Sequence, residues 1–159
     1  MQLTLTLRDL EPEDLPELDW SGGPEHLAAL AAALPATWAG QQAVLVAALP
    51  NGRLVAHGSA RWVDGEDFGL LETLAVHETC QGLGVGRWLV ATLEDRVRAA
   101  GRQRSRIAVE QDNPRAAALY RRLGYVEIGS LLQTWPTSAG RTYVTVSALL
   151  EKVLDLLAE

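Results

Sequence analysis

Residues 2–7 alternate strictly, Leu3, Leu5 and Leu7 against Gln2, Thr4 and Thr6, and a two-residue period marks a strand that buries one face. The pattern predicts a first strand ending at Arg8-Asp9. Glu11-Pro12-Glu13-Asp14-Leu15 puts acids and a proline where a helix begins, so a helix is expected to run toward Trp20 until Ser21-Gly22-Gly23 breaks it. Residues 24–34 predict a second helix, with Pro24 in its first turn and Pro35 as its stop. Two β-rich runs, 42–49 and 53–62, flank Pro50-Asn51-Gly52 and read as a hairpin. Asp64-Gly65-Glu66-Asp67 then turns the chain into a strand over 69–76.

The period changes after residue 84. Val85, Leu89, Leu93 and Val97 recur every four residues with Val90 beside them, which predicts a helix with Arg87, Glu94 and Arg98 on its exposed face and Gly101 at its end. A short strand is expected over 105–109. Asn113-Pro114 supplies an N-cap and a proline at the first helical position, opening a helix whose last turn carries Arg121 and Arg122 before Gly124. Strands follow over 125–132 and 143–148. Leu149, Leu150, Val153, Leu154 and Leu157 form a stripe at helical spacing, predicting a terminal helix packed on its own sheet or on another subunit. An antiparallel meander followed by strand-helix-strand-helix-strand gives a mixed α/β fold: a mostly antiparallel sheet with a central parallel strand pair and helices on both faces.

The stretch with most chemical content is Cys80-Gln81-Gly82-Leu83-Gly84-Val85-Gly86-Arg87, between a predicted strand and a predicted helix. Backbone N–H groups and a helix N-terminus converge there, as an anion site requires. A dinucleotide fingerprint started at Gly82 needs glycine where Arg87 stands, and one started at Gly84 needs it at Leu89. A Walker loop needs Gly-Lys-Ser/Thr, and the chain's one lysine is Lys152. What remains is Gln81, Gly84 and Gly86 in the spacing Q-x-x-G-x-G.

This loop, with Leu70-Leu71-Glu72-Thr73-Leu74-Ala75-Val76 before it and Asn113-Pro114-Arg115-Ala116-Ala117-Ala118-Leu119-Tyr120 then Gly124-Tyr125 after it, resembles the GCN5-related N-acetyltransferase (GNAT) family. The resemblance implies one N-acetyltransferase domain over 1–159 that uses acetyl-CoA as co-substrate. It places the pyrophosphate on Gln81, Gly82, Leu83, Gly84, Val85, Gly86 and Arg87, and the pantetheine arm and thioester oxygen on backbone groups of Leu74, Ala75 and Val76. Gln81 stands where many relatives carry arginine. Asn113 matches a cofactor contact, although an N-cap explains it equally. Glu72 matches the general base and Tyr120 the general acid, with Glu110 as reserve base; an acidic position of some relatives falls on Ala108. The first helical pair lines the acceptor side.

The residues themselves bear on these roles. A glutamate in an apolar strand is unfavourable unless paired, wet or useful, so Glu72 reads either as a base or as the partner of an arginine. Tyr120 reads as an acid or as a packed helix face. Of the 159 residues one is cysteine, which excludes an internal disulfide, and His26, His57 and His77 show no ligand spacing, so no metal is expected. Cys80 as a covalent acyl carrier is disfavoured.

Net charge is −6, unevenly spread: residues 1–86 carry 3 arginines against 12 acids, residues 87–122 carry 9 arginines against 4. The basic half coincides with the anion loop. The acidic half suits a cationic acceptor and repels nucleic acid, transfer RNA included. No signal peptide or apolar run of spanning length is present, so a cytoplasmic protein without membrane or nucleic-acid partners is expected, as monomer or homodimer. The expected function is transfer of acetyl to a primary amine of a small molecule or peptide by direct attack in a ternary complex. The alternative is a non-catalytic acyl-CoA-binding or sensing domain.

Overall fold

A computed structural model describes residues 3–155 apart from residue 138. Among these residues one sheet runs through the molecule. Its strands are β1 (Thr6–Asp9), β2 (Gln42–Ala48), β3 (Leu54–Trp62), β4 (Phe68–Val76), β5 (Arg104–Glu110), β6 (Val126–Pro136) and β7 (Thr142–Val153), in the spatial order β1-β2-β3-β4-β5-β7-β6. β4 and β5 pair in parallel; every other neighbouring pair is antiparallel. The helices are α1 (Pro24–Trp38), α2 (Val85–Ala99) and α3 (Pro114–Arg122), with 3₁₀ segments over Pro12–Ser21 and Glu78–Cys80.

The sheet separates two cores, and β2 shows why its sequence is apolar almost throughout. Leu45 and Ala47 point to the face covered by Val85, Leu89, Leu93 and Val97 of α2, while Val44 and Val46 point to the face covered by Leu18 of the longer 3₁₀ segment and Leu30 and Leu34 of α1. Successive strand residues alternate sides, so a strand covered on both faces needs apolar residues at every position. The β2–β3 hairpin closes as its turn residues predict, with Gly52 at φ +86° and Leu49 N donating to the Arg53 carbonyl at 2.9 Å.

Five sequence expectations change. The first strand starts at Thr6, because its partner β2 ends at Ala48, opposite Thr6; residue 2 lies outside the described residues. The segment after it is 3₁₀ with Pro16 inside, held at its start by Asp14, which accepts from Glu11 N at 2.8 Å and from both Arg8 nitrogens at 2.7 and 2.8 Å. Pro35 does not stop α1, which continues to Trp38; a proline this close to the C-terminus removes a single hydrogen bond, and Ala39 N still closes the last turn on the Pro35 carbonyl at 3.0 Å.

The terminal helix is absent through Val153. Residues 149–153 belong to β7, with Leu150 opposite both Ile107 of β5 and Glu127 of β6. Backbone hydrogen bonding to neighbours on both sides outweighs the helical spacing of a short leucine-rich run. Leu157 lies outside the described residues.

Glu94, expected on the exposed face of α2, is 4% exposed. Its carboxylate accepts from the Tyr125 hydroxyl at 2.7 Å and from Lys152 Nζ at 3.2 Å, and Ser105 Oγ lies 2.8 Å from the same hydroxyl. The pairing makes the burial tolerable, and it ties α2 to β5 and β7. Burial and the Glu94 carboxylate push the Tyr125 phenol well above its usual range, so it stays a donor. Tyr125→Phe removes that donor from a buried carboxylate and should lower unfolding stability by about 1–3 kcal/mol, read from the urea midpoint at constant m-value.

Candidate acetyl-CoA and acceptor site

Hydrogen bonding between β4 and β5 runs from Phe68/Arg104 to Leu71/Ile107 and stops, while both strands continue, to Val76 and Glu110. The two strands part at the middle of the sheet. On its other side β4 keeps pairing with β3 but with a bulge: Ser59 faces Glu72 and His57 faces Ala75, so Thr73 and Leu74 share the single residue Gly58. Thr73 sits at φ +54°, an uncommon conformation for a β-branched residue. Ser59 Oγ holds it, 2.9 Å from Thr73 Oγ1 and donating to the Glu72 carbonyl at 3.1 Å. Gly58 is required by space: a Cβ there would lie 2.5 Å from Leu74 Cδ2 and 3.1 Å from Leu89 and Leu93. The bulge turns Leu74, Ala75 and Val76 with their β5-side backbone free of a strand partner.

Below this end of β4 lies the glycine loop. Gly82 and Gly84 adopt φ +80° and +83°, with open space where a Cβ would be, so they serve the turn itself. Gly86 differs. It lies in the first turn of α2 outside that region, and an added Cβ would stand 3.5 Å from Leu119 and 3.9 Å from Val76, inside a cavity of about 660 Å³ between the loop and α3. Val76, Gln81, Gly82, Gly84, Val85, Gly86, Arg87 and Asn113 all line this cavity. Leu74 and Ala75 lie further up β4, and Leu83 is exposed. The Gln81 side chain turns back to donate to the Val76 carbonyl at 3.1 Å, fixing the loop to the strand. Asn113 caps α3, accepting from Ala116 N at 3.2 Å.

The structure adds Arg115 and Arg122 to the cavity wall. Arg115 lies in the stretch from Asn113 to Tyr120 and Arg122 in the last turn of that helix, and the sequence assigns a role to neither. Among the described residues no carboxylate pairs with Arg87, Arg115 or Arg122. Three unneutralised guanidiniums beside the N-terminus of α2, with apolar Val76 and Leu119 between them and the parted strands, fit a ligand that is polyanionic at one end and neutral along its arm.

Tyr120, on α3, is buried with its ring edge-on to Tyr125 at 6.2 Å, and burial pushes its phenol up to about 12. Glu72 points to the opposite face from Leu71, toward the α1 side, and forms an ion pair with Arg61 of β3. The arginine-partner reading of Glu72 is the one observed, in a wet pair with side chains 37% and 45% exposed. Glu110 receives the Tyr143 hydroxyl at 3.3 Å, and burial with nearby Asp112 holds its carboxyl above the usual range. Cys80 is buried in the core with its sulfur 3.8 Å from Thr79 Oγ1.

A model of the acetyltransferase (GNAT) family matches residues 6–125. The chain belongs to this family. No curated protein matches it in sequence. Among solved structures, the ribosomal-protein-S18-alanine N-acetyltransferase of Escherichia coli superposes with a TM-score of 0.72 at 23% identity, covering 98% of this chain and 97% of its own. The yncA protein of Salmonella typhimurium, solved with its cofactor acetyl-CoA, gives 0.68 at 21% identity over 98% and 97%. A spermidine N-acetyltransferase SpeG chimera from Vibrio cholerae and hSSAT gives 0.73 at 18% over 94% of each. At these identities the likeness is one of fold. Acetyl-CoA is the family's acetyl donor, and the cation-lined cavity of this acetyltransferase has the chemistry to hold it. No helix among the described residues is long and apolar enough to cross a membrane.

On the α1 side of the parted strands the acetyltransferase gathers all three histidines. His57 of β3 is completely buried, with the His26 ring at 5.3 Å and Trp20 at 5.9 Å; Trp20 also meets His77 edge-on at 5.1 Å. Among the described residues no group of side chains here or elsewhere is arranged to hold a metal. Burial first, then His26, lowers the His57 pKa to about 4 from 6.5, opposed by the Thr73 backbone. The unfolded chain therefore binds a proton at this residue more readily than the folded one, and stability is complete above pH 6.5 and lost as pH falls toward 4. The loss amounts to about 3 kcal/mol at ~1.4 kcal/mol per unit; burial of His26 acts in the same direction. In His57→Phe the decline between about pH 6.5 and 4.5 should shrink by most of that amount, measured by urea unfolding across pH beside the wild type.

Proposed function

We propose that this acetyltransferase moves the acetyl group of acetyl-CoA to a primary amine of a small molecule or peptide by direct attack in a ternary complex. The observation that carries the reading is the parting of β4 and β5 beside a cavity lined by three arginines that no carboxylate pairs among the described residues. Bound acetyl-CoA supplies the activated acetyl group. Arg87, Arg115 and Arg122 with the loop N–H groups hold its phosphates, and the free backbone of Leu74 to Val76 receives its arm and the thioester oxygen.

Glu72 takes up the proton that an ammonium must lose before it attacks, directly or through water, and Arg61 fixes the orientation of its carboxylate through Oε1. Tyr120 gives its hydroxyl proton to the departing thiolate. A phenol raised to about 12 by burial is fully protonated at neutral pH, as a donor must be. The 12 acids of residues 1–86, which include Glu72 and the 3₁₀ segment of the acceptor face, favour an acceptor that arrives as a cation.

Two variants separate binding from chemistry. Gly86→Val fills the space between Leu119 and Val76, so the stabilisation by acetyl-CoA, about 2.7 kcal/mol at 100 times its Kd, should vanish from the thermal unfolding curve. A folded Gly86→Val protein stabilised like wild type removes the cavity from cofactor binding. Tyr120→Phe keeps the ring and deletes the proton, so kcat in a thiol-release assay should drop by roughly 100-fold while acetyl-CoA stabilises the variant as before. An unchanged kcat assigns Tyr120 to packing.

A further inference from the structure

Among the described residues, the buried side-chain polar atoms left without a geometrically complete hydrogen bond are Trp20 Nε1 and the two ring nitrogens of His57, with the Thr73 backbone near enough to His57 to favour its charged form without completing a bond. They meet in one place, the ring cluster on the α1 side. Buried polar groups are almost always satisfied, and unmet ones cost stability that a suitable bound group restores. The cluster also has a defined relation to the acyl-transfer gap: His57 is the register partner of Ala75, and it shares a sheet face with Ser59, the register partner of Glu72. On the reading of this chain as an amine acetyltransferase, we propose that the Trp20–His57 cluster seats the acceptor and selects an α-amino amide, as at the start of a peptide, over a plain alkyl amine.

The chemistry of the unmet atoms chooses the ligand. An indole N–H can only donate, and a neutral imidazole offers one donor and one acceptor. The amide adjoining an α-amine presents a carbonyl for Trp20 Nε1 and an N–H for His57, whereas an alkyl amine has nothing for the indole to donate to. His57 and His26 are both held neutral by burial, so the approaching ammonium meets no opposing charge from them. The rings pack against one another, and Trp20 lies at the end of the 3₁₀ segment, joined to α1 by Gly22 and Gly23. Gly22 can carry no side chain, because a Cβ would stand 2.7 Å from the His26 ring. Displacing Trp20 about this two-glycine joint uncovers the unmet atoms.

The test uses the full chain with acetyl-CoA and three acceptors that share one CH3–CH–NH2 unit: alaninamide, alanine methyl ester and isopropylamine. The kcat/KM ratio of ester to isopropylamine reads the carbonyl, and that of amide to ester reads the amide N–H; intrinsic amine reactivity cancels when each ratio is compared between wild type and variant. Trp20→Phe should lower the first ratio about 10-fold or more, and His57→Phe the second by a similar factor, as a site built around a hydrogen bond discriminates against ligands lacking it. Stabilisation by acetyl-CoA checks that each variant is folded, and His57→Asn, which keeps a donor and an acceptor, should retain part of the second ratio. Ratios unchanged in Trp20→Phe while acetyl-CoA still stabilises it overturn the seat and leave the transferase standing. No thiol release above the hydrolysis background with any of the three amines overturns the transferase reading, and the seat with it.

Discussion

The structure depends on a place where hydrogen bonds cease. Parallel pairing of β4 with β5 ends after Leu71 and Ile107, at the centre of a sheet whose other ladders continue. A gap in the middle of a sheet exposes backbone groups that cannot be left unmet, so it persists only if its edges are held apart. One edge is set by the bulge at Thr73 and Leu74, which needs the empty space of Gly58 and the hydroxyl of Ser59. The other is anchored through β7, whose register with β5 is unbroken from Arg104 to Glu110. Neighbours paired on each side convert a local loss of pairing into a fixed separation of the two strand ends.

The two faces then do different work because their sequences differ. The α2 face receives arginines from α2 and α3 and a loop with two left-handed glycines, all lining one cavity. The α1 face receives acids and aromatic rings, and its 3₁₀ segment is fixed by Arg8 and Asp14 rather than by packing alone. Arg8 holds the Asp14 carboxyl below the usual carboxylate range, so this clamp is intact at neutral pH. On the proposed reading, a polyanionic donor and a cationic acceptor would be sorted to opposite sides before they meet.

Much of this was legible in the sequence where the determinant is local. The hairpin at Asn51-Gly52, the N-cap at Asn113 and the glycine loop each rest on a few adjacent residues whose backbone requirements are their own. What was not legible rests on distant partners. Glu94 looks like a solvent-facing helix residue until Tyr125 and Lys152 are brought to it, and residues 149–153 look helical until two strands flank them. The bulge at Thr73 has no turn residue to announce it. The ring cluster is the plainest case: Trp20, His26, His57 and His77 are scattered over nearly 60 positions, and no spacing rule joins residues that only the sheet register brings together.

The ion pair beneath α2 has a consequence for the chemistry the protein would perform on others. The chain has 14 basic residues, and all but one are arginine; its single lysine, Lys152, donates to the buried Glu94 carboxylate. Guanidinium groups, protonated at every physiological pH, are not acceptors for acetyl from a thioester. An acetyltransferase is thus nearly free of side-chain amines itself, and the one it has is tied up holding α2 to the sheet. By composition, nearly all the side chains that carry its positive charge are groups an activated acyl donor does not neutralise.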